Sequence, residues 1–156
     1  MSNSLLGTVP SLLLKVAESY YLDMLRDDAR NEAYQDGIRR AVRELERRHG
    51  AGSVRVLDIG TGSGLLAMMA CAAGAGAVTA CECFAPVARS AAQCIADNSL
   101  EERITLVARA STEMTQADMR DGRPAHLLVC ERPARSVRLQ HPLRSAAIAF
   151  EGLRRI

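Results

Sequence analysis

Apolar residues recur along this chain in two registers, and the alternation between the registers lays out its architecture. Tyr34, Ile38, Ala41, Val42 and Leu45 fall at helical spacing, while Arg39, Arg43, Glu44, Arg47 and Arg48 occupy the charged face. Asp27 or Asp28 is placed to cap this helix, and Gly50 with Gly52 to end it. A second helical pattern precedes it, from about Val16 to Leu25. Val54, Val56 and Leu57 then form a short apolar, mostly β-branched run, as a strand covered on both faces requires.

The same alternation repeats downstream. Leu65, Leu66, Met68 and Met69 suit a helix, Ala77 to Glu82 a second strand, and Pro86 to Asp97 a second crossover helix with proline in its first turn. Arg103 to Val107 reads as a third strand, Ser111 to Met119 as a loop or short helix, Asp121-Gly122 as a turn and Ala125 to Cys130 as a fourth strand. Strands alternating with helices imply right-handed crossovers and a doubly wound, mostly parallel α/β sheet with helices ahead of it. Beyond Glu131 the pattern changes. Leu143, Ala147, Phe150 and Leu153 suggest one amphipathic helix, and no fifth strand is visible, so the sheet looks truncated to about four strands.

Composition narrows the picture. The 156 residues are 48% hydrophobic but only 3% aromatic, with no Trp, so one core is built from aliphatic residues and Met. No apolar run is long enough to span a membrane, and the Leu5 to Leu14 stretch carries Pro10 and lacks a basic segment before it, so neither a membrane partner nor a secretory signal is expected. The five cysteines form no CxxC pair and read as buried free thiols of a reducing compartment. A metal role for Cys81-Glu82-Cys83 is disfavoured because successive strand residues point to opposite faces. Six arginines after Glu131 face the single acid Glu151, so only the tail is basic. With Phe150 alone interleaved, a solvated helix face accounts for it better than a nucleic-acid partner does.

Candidate chemistry centres on Val56 to Gly64, where a strand runs into a glycine turn. Gly60 and Gly62 allow positive φ and leave no Cβ in the way of a ligand, and Ser63 is placed as an N-cap of the next helix. A dinucleotide fingerprint fails, since its third glycine position is Leu65. Asp58 closing the strand fits instead a ligand without pyrophosphate whose ammonium welcomes an acid, and S-adenosylmethionine is such a ligand. Glu82, ending the second strand, is positioned to accept both ribose hydroxyls. Two plainer roles stay open: Asp58 as a cap of its own turn, and Glu82 as a solvated strand end.

Several stretches together resemble the protein arginine N-methyltransferase family. They are Met24-Leu25-Arg26-Asp27-Asp28-Ala29-Arg30-Asn31 with Tyr34 and Gly37-Ile38-Arg39, the glycine turn with Leu65 to Ala70, Gly74-Ala75, Glu82-Cys83-Phe84, Ser111-Thr112-Glu113, and Leu127 to Glu131. The similarity is greatest to the seventh-member, type III group and covers roughly residues 17 to 131. It implies a Rossmann-like class I methyltransferase sheet, with residues 1–15 a poorly defined arm, 16–131 an incomplete S-adenosylmethionine-binding domain and 132–156 an arginine-rich, non-homologous tail. It further implies that Met24 packs on the cofactor, Arg30 pairs with its carboxylate, Asp58, Gly60 and Gly62 lie under its methionyl part, Glu82 holds the ribose and Glu113 lies near the adenine amino group. The implied partner is a protein or peptide arginine, and the implied location is the cytoplasm or nucleus.

In that family two acids fix the substrate guanidinium. Glu131 matches the first, whereas the position of the second is Gln140, and the family's tryptophan-bearing loop, β-barrel and dimerisation arm have no counterpart here. Two expectations follow: an arginine methyltransferase with Glu131 as its catalytic acid, or a truncated S-adenosylmethionine-binding module without transfer activity.

Overall fold

The structure, a computed structural model, describes residues 23–130 and the backbone of residues 147–148. Two compact units divide at Glu32. In the described part of the first, residues 23–25 are helical, and helix α1 (Asp28–His49) begins there and continues into the second unit. Asp27 caps α1 as expected, its Oδ1 accepting the Arg30 amide at 3.0 Å. Asn31 Nδ2 donates to the carbonyls of Met24 and Leu25, tying the preceding turn to the helix start.

The second unit is built on a parallel sheet. Strands β1 (Arg55–Ile59), β2 (Ala77–Cys81), β3 (Ile104–Val107) and β4 (Leu127–Cys130) stand in the order β3-β2-β1-β4, joined by α2 (Leu65–Ala72) after β1 and α3 (Ala85–Asp97) after β2. Asp58 pairs with Ala80 on one side and Val129 on the other, so β1 is central. Two successive right-handed crossovers in one direction put their helices on one face. There Val56, Val78, Ala80, Ile104, Leu127 and Val129 pack with Ile38 and Val42 of α1, Leu66 and Ala70 of α2, and Ile95 of α3. Leu57, Cys81, Val107 and Leu128 point the other way, where Met114, Met119 and Ala125 cover them. Each fully buried leucine contributes about 2 kcal/mol by leaving water.

The connection from β3 to β4 crosses beneath the sheet in the opposite sense. It holds two 3₁₀ turns, Ser111–Glu113 and Gln116–Asp118, in place of a full helix, within the range the sequence left as loop or short helix.

Three expectations need correction. The backbone of Ala147–Ile148 is not helical but forms a two-residue strand β5, parallel to β4 through Leu127↔Ala147 and Leu128↔Ile148. Backbone pairing along the outer side of apolar strand β4 outweighs the local helical pattern there. Ser63 is not the N-cap of α2: that place belongs to Gly64, left-handed with φ 87° and making no side-chain capping bond. Cys83 is exposed and Cys94 only partly buried, while Cys71, Cys81 and Cys130 are buried free thiols as expected.

Candidate functional site

The strand order reverses between β1 and β4, and a doubly wound sheet binds its ligands outside the carboxyl ends of the strands at such a point. The glycine turn leaves β1 there. Gly60 and Gly62 take φ values of +69° and +58°, which a residue with a Cβ adopts only under strain. The turn is held from below by β2: the amides of Gly60 and Thr61 both donate to the Cys81 carbonyl, at 2.9 and 3.0 Å. A Cβ built on Gly60 would meet nothing within 4 Å, so the space above the turn is open to a ligand.

Two acids border this turn. Asp58, 1% exposed, lies under it, and Thr61 Oγ1 donates to its Oδ2 at 2.6 Å. Glu82, 6% exposed, is not the solvated strand end that sequence left open. Its Oε2 accepts the Gly62 amide at 3.3 Å and its Oε1 the Phe84 amide at 2.9 Å, so it joins the end of β2 to the turn 20 residues before it. A buried carboxylate bound to two amides is fixed in orientation. Thr61, which the sequence reading passed over, belongs to this constellation. Its only sequence signal is its place between the two glycines.

Burial pushes the Cys81 thiol up to about 12, against the lesser effect of the Gly60 amide, so its sulfur is inert and its carbonyl does the positioning. Of the two cysteines adjacent to Glu82 in sequence, Cys81 is buried and Cys83 exposed. Among the described residues no group of three or more His, Cys, Asp or Glu could hold a metal ion, and no helix is long and apolar enough to cross a membrane.

The other candidates are placed separately. Met24 and Arg30 lie in the first unit, where the Arg30 guanidinium donates to Asn31 Oδ1 at 2.7 Å. Glu113 is exposed at the end of the first 3₁₀ turn. Glu131 and Gln140 lie outside the described residues. A surface depression of about 450 Å³, lined by Arg43, Glu46, Arg47 and Ala51, is on the carboxyl half of α1 and not at the glycine turn.

Comparison with known proteins bears on the fold and the family. The PrmA family model, described as ribosomal protein L11 methyltransferase, matches residues 39–131. Protein arginine N-methyltransferase 7 of Aedes aegypti is 45% identical over 119 residues, 75% of this chain and 17% of that protein. The Danio rerio protein of the same name is 45% identical over 120 residues, with the same two shares. The chain thus spans about a sixth of the length of the curated relatives it matches.

Among solved structures, the Trypanosoma brucei PRMT1 enzyme-prozyme heterotetrameric complex with AdoHcy superposes with a TM-score of 0.60 at 28% identity, over 72% of this chain and 32% of that one. Arabidopsis thaliana protein arginine methyltransferase 10 gives 0.60 at 26% identity, over 72% and 29%. By sequence and fold, the chain belongs to the methyltransferase family that the PrmA model describes, and it resembles the amino-terminal part of the catalytic domain of protein arginine N-methyltransferase 7.

Proposed function

We propose that the carboxyl edge of this sheet binds S-adenosylmethionine and that the chain serves methyl transfer to an arginine guanidinium of a protein or peptide. The observation that carries this reading is the joint placement of buried Asp58 and Glu82 around a left-handed glycine turn with open space above Gly60. Asp58 would oppose the ligand's ammonium through the floor of the turn, Gly60 and Gly62 would let its methionyl part lie on the backbone, and Glu82 would accept the ribose hydroxyls. The family resemblance adds Met24 as a packing surface, Arg30 for the carboxylate and Glu113 for the adenine amino group. When bound, S-adenosylmethionine supplies a methyl group on a sulfonium, an electrophile that a guanidinium nitrogen attacks in line. Glu131 would fix the planar guanidinium and localise electron density on that nitrogen.

A second reading, cofactor binding without transfer, is favoured by Gln140, which stands where the second acid is expected and supplies no charge. Calorimetry on the folded chain tests the shared premise: heat of S-adenosylmethionine binding is expected, and none at millimolar cofactor overturns both readings. Labelled methyl on a glycine- and arginine-rich peptide, abolished by Glu131→Gln, separates them in favour of transfer. Binding with no label transferred favours the second.

A further inference from the structure

Thr61 commits both of its donors. Its amide donates to the Cys81 carbonyl at 3.0 Å and its hydroxyl to Asp58 Oδ2 at 2.6 Å, and the residue is only 6% exposed. The two bonds do different things. The amide bond ties the turn to β2 and would survive any side chain, whereas the hydroxyl bond acts on Asp58 alone. Asp58 is 1% exposed and central in the sheet, where an ionised carboxylate is costly without donors. A short hydroxyl-to-carboxylate bond stabilises the charged form and fixes the plane of the group. β-Branching holds the threonine itself in few rotamers.

We propose that Thr61 is a positioning residue of the cradle, its hydroxyl holding the Asp58 carboxyl group in one orientation so that the turn favours ligands carrying an ammonium group. This rests on the reading that the cradle takes S-adenosylmethionine, and it adds the means by which the amino-acid end of the ligand is selected. A threonine needed only for packing would be replaced by isosteric valine without effect on that selection.

The test compares the full chain with Thr61→Val and Thr61→Ser, each verified as folded by circular dichroism. Calorimetry is run with S-adenosylhomocysteine, which has the ammonium, and with 5′-methylthioadenosine, which lacks the amino-acid end. Loss of a hydrogen bond to a charged group should weaken S-adenosylhomocysteine binding to Thr61→Val by about tenfold or more, with 5′-methylthioadenosine unaffected. Thr61→Ser should restore that binding. Equal losses for both ligands, or none for either, overturn the inference while leaving the cofactor reading in place. A wild-type chain that binds neither ligand overturns the cofactor reading and this inference with it. Should Thr61→Val not fold, Thr61→Ala against Thr61→Ser supplies the same contrast.

Discussion

Gly60 and Gly76 stand at opposite edges of one sheet, and each must be glycine for the opposite reason. At the carboxyl edge, a Cβ on Gly60 would meet nothing within 4 Å, and the demand comes from a φ of +69°. At the amino edge, a Cβ on Gly76 would stand 1.7 Å from the Gly52 carbonyl oxygen, and the demand comes from closed packing. The polar groups follow the same division. Asp58 and Glu82 are buried around an open turn, whereas at the other edge polar groups are used to close the fold. There Arg55 donates from its backbone to His126 Nδ1 at 3.0 Å and from Nε to the Pro124 carbonyl at 2.8 Å, and the His126 ring stacks on His49 at 4.3 Å. A parallel sheet needs both edges finished, and here only one is finished with room to spare.

The hardest test of this contrast is Gly76→Ala. With backbone as the obstacle the loop must move, and the Gly76 amide bond to the Val54 carbonyl at 2.9 Å goes with it. A loss of about 3 kcal/mol or more in urea unfolding is expected. A loss under half of that would mean that the amino edge is less closed than described.

Gly60→Ala should cost less stability, about 1–2 kcal/mol from left-handed strain. Its effect on S-adenosylmethionine binding should exceed that loss, because the new methyl enters the ligand's space. Calorimetry beside unfolding measures both, and a binding loss no larger than the stability loss would contradict an open cradle.

The smallest effect is expected from pH at the amino edge. Burial holds the His126 imidazole below its ordinary range, aided by the charge of Arg55 and by His49, and opposed by Asp121. The unfolded chain therefore binds this proton more readily than the folded one. Stability is full above the ordinary histidine value near 6.5 and declines as pH falls below it, through the lowered value of the folded state. Melting points taken across that range should show the decline in the wild type and a flatter profile in His126→Gln. Equal slopes would remove His126 from the account.

Much of this was legible in the residues themselves. The order of strands and helices, the Asp27 cap and the identity of the glycine turn all depend on local spacing, and each lies where the pattern indicated. Asp58, Gly60, Gly62 and Glu82 were legible as a set because a strand end, a turn and the next strand end recur at fixed intervals in such a fold. Thr61 was not, since a threonine between two glycines carries no periodic signal and its value lies in one bond to a buried acid. The two-residue strand at Ala147–Ile148 was hidden for a related reason: its neighbours read as a helix, and only pairing with β4 makes an extended conformation favourable there.

The sequence by itself determined most of the local conformations, because φ/ψ preference and hydrophobic period are properties of neighbours along the chain. Tertiary structure decided what no local window contains. It set the reversal of strand order between β1 and β4, the reach of Glu82 back to the Gly62 amide, and the pairing of Arg55 with His126 across 71 residues. These contacts form because a sheet must cover both faces and satisfy its buried polar groups, and that requirement selects partners by proximity in the fold.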